Sequence, residues 1–293
     1  MANTGWVFDR REELLERLQH APGEQARKEL APTADGPAPS RWTLRGIRAT
    51  FPWLKDYTLS GVWRVLRRHG LHIRSAQVRQ HSPDSEYVAK LEHLLSCLRE
   101  AAQHPDEVVL VFVDEMGYYR WPAAGRTWGV APPAPAPLAE RDGPNNKQWR
   151  VIGALNALTG RVDYLDAYII GREKVIVFYR QLATAYAHAH RIYVVQDNWS
   201  IHSHPEVQAG LADLPQIEVV WLPTYAPWLN PIEKLWRWLR EQVLKLHRLA
   251  GDWHALRERV NAFLDQFAEA ADQLLHYVGL LGEGKLAQAL RDP

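Results

Sequence analysis

Three acidic residues stand at positions where carboxylates could act together on a phosphodiester. Asp114 follows the apolar run VVLVFV and Asp197 follows IYVVQ, and both runs are typical of buried strands. Glu233 falls in the first turn of a helix that we predict to begin at Asn230 and Pro231. Because the active crevice of an open α/β sheet lies beyond the carboxyl ends of its strands, we expect the three carboxylates to meet there.

Carboxylates that converge repel one another, and a cation among them removes that cost. Ligation by oxygen alone favours Mg²⁺, with Mn²⁺ able to substitute, and a shared carboxylate suits two ions about 4 Å apart. Two such ions stabilise charge on the attacking and leaving oxygens of a phosphodiester, so no protein nucleophile is needed. Each acid taken alone is better explained as a helix cap or a surface group.

The segments that surround the acids are more specific. Their sequences are VFVDEMGYYRWPAAGRTWGV at residues 111–130, VVQDNWSIH at 194–202 and WLPTYAPWLNPIEKLWRWL at 221–239. They resemble the three catalytic blocks of the D-D-E transposases of the mariner-like superfamily, in its bacterial insertion-sequence branch. Thirty-five residues separate Asp197 from Glu233, which is close to the usual interval of that family.

The resemblance implies a ribonuclease-H-like fold in which Asp114, Asp197 and Glu233 are the catalytic residues and bind two Mg²⁺ ions. It implies metal-dependent cleavage at transposon ends and strand transfer of the 3′-hydroxyl into target DNA, at the dinucleotide TA. Four more positions match the family and are expected to orient the carboxylates or contact DNA: Asn198, His202, Asn230 and Arg126, the last in a hairpin that ends on Arg-Thr-Trp.

A basic segment precedes the acids. Residues 41–80 carry nine Lys or Arg against one acid, whereas the whole chain has a net charge of only +1. This asymmetry is typical of nucleic-acid binding, although a solvated basic helix would have the same charge. A helix capped by Thr58 or Ser60 and stopped by Gly70, with a strand or wing over residues 71–78, favours a helix-turn-helix or winged-helix unit. We expect it to bind DNA through Arg41, Arg45, Arg48, Arg64, Arg67, Arg68 and Arg74.

The remaining patterns predict an α/β body. Helices are predicted over residues 6–30 (as one or two short helices), 41–49, 84–102, 172–188, 205–214, 231–248 and 252–277. Strands are predicted over residues 107–114, 151–158, 162–170, 191–196 and 217–222, with a turn at Thr159 and Gly160. A hairpin followed by alternating strands and helices gives a mixed sheet flanked by helices. Asp163 and Asp166, in one hairpin strand, are expected to face solvent.

These elements group into four predicted domains. They are an N-terminal DNA-binding region (1–82), a connecting helix (83–105), a ribonuclease-H-like catalytic domain (106–250) and C-terminal helices packed on it (251–293). Since 40 residues precede Arg41, we expect the first of the two helix-turn-helix units usual in the family to be shortened. The proline-rich residues 131–137 are predicted to form an uncharged loop.

Composition excludes other classes. The single cysteine, Cys97, allows no internal disulfide and no cysteine-based zinc cluster, and we expect it to be buried in a helix. The sequence has no signal-peptide core and no apolar run near the roughly 18 residues of a membrane span. We expect a cytoplasmic, nucleoid-associated homodimer whose partner is double-stranded DNA, both the inverted repeats of the element and its target.

Two other functions remain open. A ribonuclease-H-like nuclease or resolvase would cleave DNA without strand transfer. A decayed transposase would act only as a DNA-binding protein, and the presence of all three acids argues against that alternative.

Overall fold

The computed structural model describes residues 4–20, 41–74, 81–129, 134–143 and 145–291. The chain divides into two compact units, Met1–Val78 and Arg79–Pro293. The four predicted domains are finer than this division and stay predictions. No helix in the described ranges combines the length and the apolar character needed to cross a bilayer.

The first unit is helical where it is described. It contains α1 (Thr4–Leu18), α2 (Leu44–Thr50), a 3₁₀ turn (Pro52–Leu54) and α3 (Leu59–Arg68). The Thr58 hydroxyl caps α3 by accepting a hydrogen bond from the Gly61 N–H at 3.1 Å, as the sequence predicted. The core of the unit is formed by Leu14, Ile47, Phe51, Leu54, Val62 and Leu66.

One prediction for this unit needs correction, and another is only partly covered by the described residues. Of the one or two short helices predicted over residues 6–30, α1 ends at Leu18, and residues 21–40 lie outside the described part of the chain. Residues 71–74, predicted as the beginning of a strand or wing, form no regular structure, and residues 75–80 lie outside the description. The proposed wing is therefore not supported by the residues that can be described.

The second unit is built on a five-stranded sheet. Its strands are β1 (Val108–Tyr119), β2 (Gln148–Asn156), β3 (Val162–Ala167), β4 (Arg191–Gln196) and β5 (Ile217–Trp221). Their order is β3-β2-β1-β4-β5. β2 is antiparallel to β1 and β3, whereas β4 is parallel to β1 and β5. This mixed sheet confirms the predicted fold class.

Strand β1 extends beyond the acid that was predicted to end it. Its parallel pairing with β4 stops at Phe112, but its antiparallel pairing with β2 continues to Tyr119. Asp114 therefore lies inside the strand, two residues past the point where β1 loses its parallel neighbour. The prediction was wrong because β2 supplies hydrogen-bond partners that the sequence of β1 alone does not reveal.

Helices cover both faces of the sheet. On one face lie α4 (Tyr87–Gln103), α7 (Ile232–Leu239), α8 (Trp253–Asp265), α9 (Asp272–Val278) and α10 (Lys285–Arg291), packed on a core that includes Leu110, Phe112 and Met116. The other face, with Val109, Val111 and Val113, packs on α5 (Arg172–Ala185) and α6 (Pro205–Ala212). Cys97 is buried in α4, as predicted.

Long helices predicted near the C-terminus are interrupted. The helix predicted over residues 231–248 ends at Leu239 and passes into a π-helical turn, Arg240–Leu244. There the chain pairs with Ala123, whose N–H donates to the Leu244 carbonyl at 3.0 Å. The helix predicted over 252–277 is two helices, α8 and α9, and the Ala271 N–H between them donates to the Thr159 carbonyl at 2.7 Å. Contacts with distant residues replace the expected helical hydrogen bonds.

The expectation that Asp163 and Asp166 face solvent was also wrong. Asp163 is buried and accepts hydrogen bonds from Arg161 at 2.7 Å and from the Tyr186 hydroxyl at 2.8 Å. Asp166 is half-buried and accepts from Trp149 Nε1 at 2.9 Å and from Arg257 at 2.8 Å. Each carboxylate has a cationic partner and a second donor, which offset the cost of removing it from water.

Candidate active site

The three predicted acids line one cavity of about 390 Å³ in the second unit. Asp114 comes from β1, Asp197 from the residue after β4, and Glu233 from the first turn of α7. The rest of the wall is formed by Asn198, Trp199, Asn230 and residues 222–227. The structure thus brings together side chains that lie as far apart in sequence as residues 114 and 233.

Asp114 is held inside the cavity wall. Its Oδ2 accepts a hydrogen bond from Nε1 of the fully buried Trp236 at 3.0 Å. Burial, together with the negative charges of Glu233, Glu115 and Asp197, raises the pKa of Asp114 to about 8, and burial is the largest of these causes. At neutral pH this carboxyl therefore favours either a proton or a nearby cation.

Asp197 is exposed and begins the connection that leaves β4. Its Oδ1 accepts a hydrogen bond from the Trp199 N–H at 3.0 Å, which closes a tight turn. The next side chain, Asn198, donates from Nδ2 to the Leu222 carbonyl at 2.9 Å. This bond ties the carboxyl end of β4 to that of β5, so the two loops that border the cavity are fixed to each other.

Glu233 is positioned by the residue that precedes its helix. Asn230 is buried, and its Nδ2 donates to the Val113 carbonyl at 3.0 Å. This bond fixes the start of α7 to β1 at the residue next to Asp114. Asn230 Oδ1 is buried as well and accepts no hydrogen bond from the described protein atoms.

His202 lies behind the cavity and is not among its lining residues. Its side chain is 1% exposed, with Nε2 3.3 Å from Glu115 Oε1 and 4.0 Å from Asp197 Oδ1. Its Nδ1 lies 3.3 Å from the Tyr179 hydroxyl, which donates to Gln196 Oε1 at 2.6 Å. His202 therefore lies close to two acidic side chains, and its burial leaves it no surface for direct contact with DNA.

Two residues in contact with predicted site residues, Glu115 and Trp236, were not predicted from the sequence. Glu115 points to the face of β1 opposite Asp114, as strand alternation requires, and there it meets His202. Trp236 follows Glu233 by three residues and so shares its helical face. That spacing was the available signal, but a tryptophan at such a position is usually explained by core packing alone.

The other predicted site residues lie elsewhere. Arg126 is exposed and does not line the cavity, and residues 124–129 form no hairpin, because β1 pairs with β2 instead. The described part of the proline-rich segment, residues 134–137, is irregular. In the first unit the predicted DNA-binding arginines are exposed at Arg41, Arg45, Arg64, Arg67, Arg68 and Arg74. Arg48 is half-buried and donates to the Tyr57 carbonyl at 3.5 Å.

The side chains do not form a ready-made metal cluster. Within the described ranges, no group of three or more His, Cys, Asp or Glu side chains is arranged so that it could hold an ion. The three acids share a cavity, and two of them are engaged by donors, Trp236 for Asp114 and the Trp199 N–H for Asp197.

A mixed five-stranded sheet covered by helices, with carboxylates gathered beside the carboxyl ends of its parallel strands, is a ribonuclease-H-like α/β fold. Residues 109–257 match the family model for the DDE superfamily endonuclease. That match spans half of the chain, and the chain belongs to this family. The family membership inferred from the three sequence blocks is thereby confirmed.

Individual relatives agree with this assignment. The chain is 26% identical over 267 residues to the "Insertion element IS630 uncharacterized 39 kDa protein" of Shigella sonnei. The aligned region covers 89% of this chain and 72% of the relative. A Mos1 transposase paired-end complex with the left transposon end matches with a TM-score of 0.55 and 15% identity, over 97% of this chain and 93% of the other. A Mos1 mariner paired-end complex with Mn matches with a TM-score of 0.55 and 17% identity, over 99% and 97%. These structures support the fold.

The pKa of Asp114 predicts how stability depends on pH. Unfolding lowers that pKa from about 8 to the ordinary 3.8, so the folded protein loses stability as pH rises between these values. Asp114→Asn removes this loss and should stabilise the metal-free protein at pH 8 by on the order of a few kcal/mol. At pH 4 the variant and the parent should differ little, because the parent carboxyl is then protonated in the folded state.

Denaturant unfolding in EDTA at both pH values measures this difference. Asp213→Asn, at an exposed carboxylate that follows α6, is the matched control and should change stability little at either pH. If Asp114→Asn were instead less stable than the parent at pH 8, the ionised carboxylate would be stabilised in the folded protein, and its pKa would not be raised.

Proposed function

We propose that this protein is a DNA transposase that cleaves the ends of its own element and joins the freed 3′-hydroxyl groups to target DNA at the dinucleotide TA. One observation carries the proposal: Asp114, Asp197 and Glu233 line a single cavity in a chain of the DDE superfamily of endonucleases. Acids that are far apart in sequence have no structural reason to gather in one cavity, whereas metal-dependent phosphodiester chemistry requires it.

We assign the three acids as ligands of two Mg²⁺ ions, with Mn²⁺ able to substitute. The donor set fits, since it offers three carboxylates and the buried Asn230 Oδ1 that has no described partner. Positive charge would also stabilise the ionised form of Asp114, whose pKa is now raised by burial and by its acidic neighbours. When bound, the ions supply charge stabilisation to the attacking and leaving oxygens of the phosphodiester. A Mos1 structure of the same fold is a complex with Mn.

The chain itself positions the groups that react. Trp236 and the Trp199 N–H hold Asp114 and Asp197, and Asn230 fixes the helix that carries Glu233. The half-buried Trp199 and the exposed Tyr225, which has a positive φ of 54°, line the same cavity and offer rings on which nucleobases stack. The scissile phosphate would enter between these rings and the carboxylates.

We propose that the first unit binds the inverted repeats. α3 carries three exposed arginines, Arg64, Arg67 and Arg68, and buries Val62 and Leu66 on its other side. An exposed basic helix on a small helical unit suits a DNA groove and its phosphates. Mos1, whose fold this chain shares, is known in complexes with a transposon end. Because two ends must be cut together, we propose a homodimer that acts on DNA in the cytoplasm, at the nucleoid.

The carboxylate assignment predicts the effect of isosteric substitutions. Asp114→Asn, Asp197→Asn and Glu233→Gln should each reduce Mg²⁺-dependent cleavage of the inverted-repeat ends by at least about 1,000-fold, because each removes a charged ligand. Binding of the same DNA, measured by mobility shift in EDTA, should change less than about threefold. Asp213→Asn is the control and should cleave normally. Near-normal cleavage by any one of the three variants removes that residue from the site.

A strand-transfer assay with a pre-cleaved DNA end distinguishes a transposase from a nuclease that only cleaves. Wild-type protein given an oligonucleotide with a free 3′-hydroxyl and a supercoiled target should join the two, and sequenced junctions should fall at TA. Cleavage of intact ends without joining would identify a nuclease or resolvase. Binding of ends without cleavage in Mg²⁺ or Mn²⁺ would identify a protein that only binds DNA. Joining at many different dinucleotides would remove the TA assignment alone.

Charge on α3 predicts the salt dependence of DNA binding. Replacement of Arg64, Arg67 and Arg68 by Ala should weaken binding by at least about tenfold near 0.1 M salt and lower the slope of log K against log salt by up to about 3. Arg180→Ala and Arg237→Ala, exposed positions on α5 and α7, serve as controls in the second unit. An unchanged slope for the triple variant would exclude α3 from phosphate contact.

A further inference from the structure

We propose that Trp236 is a positioning residue, which sets the metal-binding arrangement of the carboxylates through the hydrogen bond from its indole N–H to Asp114. This inference rests on the proposed function of Asp114, Asp197 and Glu233. It assigns to Trp236 a role beyond core packing, and it extends the site to Gly153, which is not one of its lining residues.

The contact is specific for an indole. Trp236 is fully buried, and its Nε1 donates to Asp114 Oδ2 at 3.0 Å. An indole has one donor and no acceptor, so a buried tryptophan has a single polar requirement, and here a carboxylate meets it. The donor is neutral, so it orients the carboxylate without cancelling its charge. A lysine or arginine in the same place would compete with a cation for Asp114.

Gly153 leaves room for this contact. It lies on β2 directly opposite Asp114 in the antiparallel register. A Cβ atom at this position would lie 2.6 Å from Cη2 and 3.0 Å from Cζ2 of Trp236, which is closer than packing allows. Its neighbours Ile152 and Ala154 are buried in the sheet. A glycine in such a strand marks close approach by another group, and here that group is the indole ring.

Trp236 is also one of two residues, on either side of Glu233, that fix α7 to β1. Asn230, Glu233 and Trp236 follow one another at intervals of three residues and so lie on one side of the chain as it enters and follows α7. Asn230 bonds to the carbonyl of Val113 at 3.0 Å, and Trp236 bonds to the carboxylate of Asp114, the next residue of β1. Two hydrogen bonds, one on each side of Glu233, therefore fix α7 to β1. They set the position of Glu233 relative to Asp114.

The test is Trp236→Phe, which keeps an aromatic ring and removes the N–H. We expect Mn²⁺ binding to the DNA-free protein, measured by titration calorimetry, to weaken by about tenfold or more, as is usual when an outer partner of a metal ligand is lost. The Mg²⁺ concentration for half-maximal cleavage should rise in parallel, and excess Mn²⁺ should restore much of the rate. A role in packing alone would lower thermal stability without moving metal affinity.

Trp238→Phe is the matched control on the same helix. Trp238 packs against Phe263, Phe267 and Tyr277, and its loss should leave metal affinity within about twofold. Gly153→Ala is a second test, because its methyl group displaces the indole without removing any hydrogen-bonding group from the chain. It should weaken Mn²⁺ binding as Trp236→Phe does, and it decides the question if Trp236→Phe does not fold.

Several outcomes would overturn the inference. Unchanged Mn²⁺ affinity in folded Trp236→Phe would do so, as would unchanged affinity in Gly153→Ala if that is the only variant that folds. An equal loss in Trp238→Phe would show that helix packing, and not the N–H, controls the site. These results differ from failure of the proposed function, in which the wild-type protein itself would bind no Mn²⁺ in the cavity.

Discussion

Asp114 carries a carboxylate from the central strand of the sheet to a half-buried position in the wall of the cavity. Burial and the charges of Glu233, Glu115 and Asp197 raise its pKa to about 8, so an ionised Asp114 is costly at neutral pH. Trp236 offers one hydrogen bond but no positive charge. The folded protein therefore favours the protonated form of this carboxyl, and a nearby cation would stabilise the ionised form. Under the proposed function, a divalent cation would offset the cost to folding of gathering acids here.

The sheet makes this arrangement possible. β1 keeps its antiparallel partner to Tyr119 but loses its parallel partner after Phe112, so a gap opens beside Asp114 at the carboxyl end of β4. The gap is bordered by loops and a helix that are tied to backbone carbonyls, with Asn198 bonded to Leu222 and Asn230 bonded to Val113. Because these ties run to the backbone, they set the geometry of the cavity independently of the charge state of the acids. Rigid support of this kind is what precise placement of metal ligands requires.

Features encoded in short stretches of sequence could be predicted, and features made by distant contacts could not. The β-branched runs predicted the strands. The positions of Asp114, Asp197 and Glu233 in family motifs predicted that they would lie together, and all three line one cavity. The ends of the last helices were missed because hydrogen bonds such as Ala271 to Thr159 come from residues more than 100 positions away. The burial of Asp163 was missed for a similar reason, since its partner Tyr186 lies 23 residues away at the end of α5. The role of Trp236 was hidden because a buried tryptophan on a helix already has an explanation in packing.

Anomalous diffraction from crystals grown in Mn²⁺ shows whether the cavity is a carboxylate site for divalent ions. We expect strong peaks inside the cavity with oxygens of Asp114, Asp197 and Glu233 as ligands, and two peaks about 4 Å apart when DNA ends are bound. We also expect the bond from Trp236 to Asp114 to persist in the loaded state. Mn²⁺ bound elsewhere while the cavity stays empty at saturating concentration would mean that the cavity is not a metal site.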